Sequence, residues 1–577
     1  SYSSGRHSMK FGGELMHDNM RDWNGSSSDG TFDFLGTYSG DAFGDFLLGY
    51  PNDVTRDYFK DLNGNRGNFW SAYAQDSFRL TPNLTINAGL RFEINSFWNG
   101  IRGQESAINL VTGKLILPSS MDTAVQQLTA YLLPLFSDRI QYTNSLGLPD
   151  SIHPSEHDWA PRIGFAWRPS GSATSVIRAG YGIFYTFPDQ NPIDNTLASV
   201  PFVAVAKVFN DSPPVAPTRT WANFFLGQPN VTPNPNPGQA CAFGWAALTC
   251  ATPSLDSASL IVHTTYSQQW NFSVQHQITP AASIDIAYVG NKTTHANQNS
   301  SWNDPLPGPG AIQNRRPLPQ WGTLTYVKFD ENANYNALQA KFETRAWHDV
   351  TTLVSYAYSK CIDYGSSEGS ATQALYRVNR AVCDYDLPQA FNASFDYILP
   401  FGKGKSLLNR PSRWVDQVAG GWEFSGIVTL RSGYPFTPTI SSDTANTGVG
   451  SQRPNVVGTP TIVGNPNCWF YISANPACAA LAPNAASAFA VPSSYTYGNS
   501  GRNILRANGL KELDFTLMKT FPVTESKRLE FRSDFFNLLN HPTFASPGTN
   551  INSSSGGQVS ATLNTGRIIQ LALKFRF

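Results

Sequence analysis

The chain has 577 residues, with 41 Lys and Arg against 41 Asp and Glu, a formal net charge of +0. That balance argues against nucleic acid as a main partner, which calls for a basic face. Only 14% of residues are charged while 13% are aromatic, against roughly a quarter charged in ordinary soluble domains. Mean hydropathy is −0.27, and no run approaches the ~20 apolar residues of a membrane-spanning helix.

Two-faced strands recur along the chain. The first is expected near residues 8–17. Leu84, Ile86, Ala88, Leu90 and Phe92 then form an apolar row against Thr85, Asn87, Gly89, Arg91 and Glu93. Further apolar rows run through Ile163, Phe165 and Trp167, and through Ile177, Ala179, Tyr181, Ile183 and Tyr185. Others follow at Trp270, Phe272, Val274 and Ile278, at Ile284, Ile286 and Tyr288, and at Thr352, Val354, Tyr356 and Tyr358. Late in the chain come Leu513, Phe515 and Leu517, then Leu529, Phe531 and Phe535. Successive strand side chains face opposite sides, so each stretch is a strand apolar on one face and wet on the other. The clearest is the last: Ile569, Leu571, Leu573, Phe575 and Phe577 point one way, Gln570, Lys574 and Arg576 the other. It ends on an aromatic, as a strand crossing an outer membrane does.

The connections alternate in length. Short ones lie at Thr81–Asn83, Pro169–Ala173, Thr279–Ala282, Trp347–Val350 and Phe521–Lys527. Long polar ones fill 99–158, 187–257, 291–321, 361–387, 432–509 and 539–566. This asymmetry, with about 14 strands, predicts an all-β, antiparallel transmembrane β-barrel with short periplasmic turns and long extracellular loops. The connection at 400–418 is then a longer periplasmic turn. A soluble sandwich or propeller needs no such asymmetry.

Six cysteines fall in the long connections as three local pairs, Cys241 with Cys250, Cys361 with Cys383, and Cys468 with Cys478. Proximity in an oxidising setting makes these the natural disulfides, although other connectivities are open. No CxxC spacing favours metal. His153-Pro-Ser-Glu-His157 matches a zinc-protease pattern, but its prolines mark a loop running into a strand rather than the helix that chemistry needs. Phe43–Tyr50 has helical length and is expected to be a packed turn anchoring its loop, with contact to a substrate as the rival reading. The loop aromatics Trp221, Phe224, Phe225, Trp245, Trp302, Trp321 and Trp469 could stack on a ligand or bury against each other. No catalytic constellation or cofactor-binding motif emerges.

Several segments resemble the barrel of TonB-dependent outer-membrane transporters, particularly the Oar-like group. They are residues 73–92 (YAQDSFRLTPNLTINAGLRF), 160–167 (APRIGFAW), 178–185 (RAGYGIFY), 334–339 (NYNALQ) and, most specifically, 529–544 (LEFRSDFFNLLNHPTF). The resemblance covers about 60–577, strongly in strands and poorly in loops. It implies a barrel of about 22 strands with a plugged lumen, in a bacterial outer membrane. The whole of 1–577 then reads as one barrel domain, the C-terminal part of a longer transporter, its signal peptide, plug and TonB-contact segment not represented. The first strand would be left as an edge, which seeks a partner.

The resemblance further implies energised uptake. The partners would be membrane lipid, the TonB complex acting through the plug, the barrel assembly machinery reading the C-terminal strand, and a small-molecule, oligosaccharide or peptide ligand. The charged lumen-facing residues are Arg91, Glu93, Arg178, Asp285, Glu512, Asp514, Glu530, Arg532 and Asp534. They either dock the plug and wet a passage or pair across strands to satisfy the wall. The rival function is a freestanding porin-like or adhesin-like barrel without a plug; a soluble glycan-binding β-protein is weaker, given the apolar rows.

Overall fold

The computed structural model describes residues 1–21, 30–58, 64–129, 133–169, 174–187, 196, 201–202, 204–210, 216–217, 220–222, 254–347, 349–366, 371–372, 377–524 and 526–577. Among them, fourteen strands of nine or more residues build one antiparallel sheet. They are β1 (His7–Met20), β2 (Asn65–Thr81), β3 (Leu84–Asn95), β4 (Glu156–Trp167), β5 (Ser175–Tyr185), β6 (Tyr266–Thr279) and β7 (Ala282–Ser301). Then follow β8 (Leu324–Trp347), β9 (Val350–Asp363), β10 (Gln389–Ile398), β11 (Trp422–Arg431), β12 (Leu510–Pro522), β13 (Arg528–Phe536) and β14 (Ile568–Arg576).

Each strand pairs with the next in chain order, from β1 with β2 through β13 with β14. The register keeps apolar rows aligned across strands. Ile163 lies between Ala88 and Tyr181, and Phe535 between Phe515 and Ile569. A slip of one residue would turn every row to the wrong face, so the patterning itself fixes the register. Among the described residues β14 pairs only with β13. On the other side of β1 only His7, Ser8 and Met9 are covered, by the short strand Tyr2–Ser4.

One end of the sheet carries short connections. The longest, between β10 and β11, holds the helix Arg413–Ala419, its first turn capped by the Ser412 hydroxyl. At the other end the long connections have their own cores. In the first, Ile108, Leu115, Leu117, Val125, Ile140 and Leu255 pack around Trp321, drawing on three separate connections. In the second, Phe436, Ile440, Trp469, Phe470 and Phe489 pack around the Cys468–Cys478 bridge.

Four expectations need correcting. The connection expected at 291–321 is shorter, because β7 runs on to Ser301 and pairs there with 325–328 of β8. The ladder of hydrogen bonds continues past the end of the apolar row, so alternation stops marking strand where the surroundings become aqueous. Likewise Cys361–Asp363 still belong to β9, and β4 starts at Glu156. Finally, 43–50 lies largely within a helix, α1 (Ala42–Leu48), started by Asp41 accepting from the Gly44 N–H and ended by Gly49 at φ 72°. Phe43, Leu47 and Leu48 of α1 are exposed rather than packed. What anchors the helix is Asp45, fully buried and accepting from the Ser39 N–H at 2.7 Å.

Candidate functional site

The two faces of the sheet differ in chemistry. On the apolar face Leu15, Ile163, Leu338, Leu571 and Leu573 are at least half exposed. In water such a band would be an aggregation surface; it suits a hydrocarbon solvent instead.

On the polar face the charged residues pair locally. Arg91 donates to Glu93 beside it and, at 3.4 Å, to Glu14 on β1. Arg178 donates to the Gln275 amide oxygen at 2.9 Å. Glu530 meets Arg576 at 2.8 Å, linking β13 to β14. Arg532 meets Asp534 at 2.9 Å, and Asp534 also accepts from the Thr516 hydroxyl at 2.6 Å. Asp514 accepts the Asn537 backbone N–H at 2.8 Å. Asp285 lies between Gln275 and Lys341 in register, and Glu512 opposite Thr429. The carboxylates of Glu93, Glu530 and Asp534 are largely covered and each is met by an arginine, so the row is a wall whose charges satisfy one another.

The long-connection end is where side chains converge. Cys361 and Cys383 are bonded, with Cα atoms 5.4 Å apart, and Cys468 and Cys478 likewise at 5.1 Å. Cys241 and Cys250 lie outside the described residues. Around the Cys361–Cys383 bridge, three arginines of the 432–509 connection clasp the 361–387 connection. Arg502 pairs with Asp363 and, at 2.7 Å, with Asp384. Arg506 pairs with Asp386, which is itself buried and caps the Cys361 N–H at 2.7 Å. Arg453 donates to Asn379. Asn446 joins the two cored layers, its amide donating at 2.9 Å to both Gly308 and Gly310 carbonyls.

Burial sets the charge states here. Glu105 is almost wholly buried and is pushed up from 4.5 to about 8. Asp304 rises to about 6 because burial outweighs its ion pair with Arg316 at 3.5 Å. His153 is pushed down to about 4 by burial, its Nε2–H donating to the Ser259 carbonyl at 3.0 Å. His157 lies in β4 and Glu156 turns to His263 at 3.4 Å, so residues 153–157 form no helix bringing both histidines to one face.

The loop aromatics divide. Trp321 and Trp469 are buried and Trp302 packs against the first core, so these three hold loops together. Trp221 remains half exposed, edge-on to Phe46 of α1 at 5.4 Å. Phe224, Phe225 and Trp245 lie outside the described residues. Sequence reasoning missed Asn303, fully buried, whose amide donates to three carbonyls, Leu318, Trp321 and Gly322, at 2.7–3.2 Å. It missed the arginine clasp as well; a lone Arg in a long polar segment carries no spacing signal.

Residues 1–570 match the family described as outer membrane beta barrel domain. The chain belongs to that family. The apolar rows therefore face outer-membrane lipid, and the polar rows line the inside of the wall. Among solved structures, the chain is similar to the outer membrane transporter YddB from Escherichia coli, at 12% identity and TM-score 0.47, covering 100% of this chain and 52% of that one. It is also similar to the siderophore receptor PirA from Acinetobacter baumannii, at 9% identity and TM-score 0.43, covering 99% and 52%. A third is the FrpB iron transporter from Neisseria meningitidis, at 9% identity and TM-score 0.40, covering 100% and 53%. The chain thus spans about half the length of these structures. No curated relative matches it.

Proposed function

We propose that this outer-membrane barrel is the wall and receptor platform of an uptake system energised from the inner membrane through TonB. One observation carries the reading: the long connections are consolidated into two cored layers joined through Asn446, with Arg502 and Arg506 clasping the 361–387 connection to the second layer, above a polar inner wall. A receptor needs a surface held in its binding shape before the ligand arrives; a passive sieve has no such need.

In this reading the long-connection end is extracellular and the short turns are periplasmic. The fourteen strands form part of a wall of about 22, with a plug inside; the edge of β14, unpaired among the described residues, supports a wider wall. Rows such as Arg91–Glu93 and Arg532–Asp534 meet the plug, through which TonB acts. The last strand, ending in Phe577, is what the barrel assembly machinery reads. The ligand class stays open among metal chelates, vitamins, oligosaccharides and peptides, because specificity resides in loops rather than in the fold.

The test is accumulation of candidate ligands by cells carrying the full-length gene product, with and without a protonophore. Uptake that collapses with the protonophore supports the reading. Leakage of small solutes that ignores the protonophore refutes it and leaves the porin-like alternative.

A further inference from the structure

The lipid-facing wall is not uniform. Where β3, β4 and β5 run side by side, toward the short-turn end, it carries a groove of about 590 Å³, lined on the apolar face by Leu84, Ile86, Phe165, Trp167, Ala179 and Tyr181. The depression follows from side-chain size. Ala179 lies in register between Phe165 on β4 and Phe272 on β6, one small side chain between two large ones. Beneath it, Gly164 and Gly180 are direct partners, and a Cβ on Gly164 would come within 2.9 Å of the Ala179 carbonyl oxygen. The walls are held upright: the Tyr181 hydroxyl donates to the Gln268 amide oxygen at 2.8 Å, and Trp167 pairs with Leu84 across β3. Elsewhere on this face large side chains abut across strands, as Phe424, Phe515 and Phe535 do at 5.8 and 6.4 Å between ring centres.

We infer that this groove is a binding site for one acyl chain of a phospholipid, held apart from the lipids that exchange freely around the wall. The occupant follows from continuity with the lipid-facing band: the groove opens into hydrocarbon and offers no charged side chain, and its one hydroxyl is already engaged. Its position next to the Thr81–Asn83 turn and the β4–β5 connection places it in the periplasmic leaflet. That assignment of leaflet rests on the orientation given above, whereas the groove itself does not.

The experiment is native mass spectrometry of the purified protein, delipidated in detergent and titrated with dipalmitoyl phosphatidylethanolamine or with lipopolysaccharide. Three forms are compared: wild type, Ala179→Trp, which fills the groove, and Ala340→Trp, which adds the same bulk elsewhere on the lipid face, opposite Ile286. Heat-modifiable gel migration verifies that each is folded. Wild type and Ala340→Trp should each retain one phospholipid, and Ala179→Trp should show at least tenfold lower occupancy. Should Ala179→Trp not fold, Phe165→Ala, which removes a wall, should show the same loss. Equal retention by all forms, or an equal loss in Ala340→Trp, overturns the site. Retention of lipopolysaccharide in place of phospholipid overturns the leaflet, and with it the orientation, while leaving uptake to its own test.

Discussion

Arg502 donates to Asp384 across 2.7 Å although 118 residues separate them in the chain. The same guanidinium pairs with Asp363, whose side chain is 5% exposed. One side chain thereby fixes the 432–509 connection to both sides of the Cys361–Cys383 bridge. Replacing Arg502 by Ala leaves the buried Asp363 carboxylate with the Ser366 hydroxyl but without its countercharge, a cost of about 3–5 kcal/mol. Hydrogen exchange should quicken in 361–366 and 500–506 together and leave β12–β14 unchanged. Exchange confined to one of the two connections would refute the clasp.

Reduction should act on the same end of the molecule. Closing loops with sequence separations of 22 and 10 residues contributes about 3 kcal/mol each in the chain-entropy picture. Reducing agent should therefore speed proteolysis at 361–383 and 468–478 while the sheet stays resistant. Cleavage that does not change would remove the bridges from any stabilising role.

The first cored layer should loosen in alkali. Glu105 titrates near 8 when folded and near 4.5 when unfolded, because burial penalises its charged form. A raised folded value means stability fully present below pH 4.5 and lost as pH rises through about 8. Glu105→Gln has no proton to lose. At pH 9 the variant should resist protease better than wild type, and at pH 5 the two should match. His153 has the opposite sign: lowered from 6.5 to about 4, it costs stability as pH falls through that range.

A charge in the lipid-facing row should be costly. Leu573 sits mid-strand in β14, in register with Phe531. Leu573→Arg should lower stability in liposomes by about 2–4 kcal/mol, the midplane value for lipid-facing arginine. Lys574→Ala, on the other face, should cost below about 1 kcal/mol. Urea titration monitored by fluorescence distinguishes them, and equal costs would reverse the assignment of faces.

Asn303→Ala should release the 302–323 connection. It removes donors to three carbonyls and the acceptor of the Leu318 N–H at 2.8 Å, and buried polar groups left unsatisfied cost about 1–3 kcal/mol each. Trp321 fluorescence should shift red. An unmoved spectrum would mean that the Trp321 indole bond to the Gly113 carbonyl at 2.8 Å suffices.

The wall was legible because lipid imposes a strict rule on it. A residue such as Leu571 must be apolar and Gln570 need not be, so the period-two signal survives along most of the wall, although Asp76 and Lys519 fall in the apolar row, in register with Ala88 and with Phe531. Where that pressure ends, so does the signal: residues 291–301 go on pairing with β8, but the register shifts between Thr294 and Ala296 and again between Ala296 and Gln298, and Asn297, Gln298 and Asn299 alternate nothing. The loop architecture was illegible for a different reason. Val125, Leu255 and Trp321 share one core but come from three connections far apart in sequence. No local pattern announces that. The short spacings of Cys361 with Cys383 and of Cys468 with Cys478 did carry their own geometry, and both pairs are bonded.

The separation of the cored loop layers from the lipid-bathed wall has a thermodynamic consequence. Water drives the burial of Trp321 and Phe470, so those layers answer to heat, denaturant and pH as small soluble domains do. The wall is held by a continuous ladder of backbone hydrogen bonds in a medium offering no competing partner. Calorimetry should therefore resolve separate transitions, the layers melting first, and no single melting temperature describes the molecule.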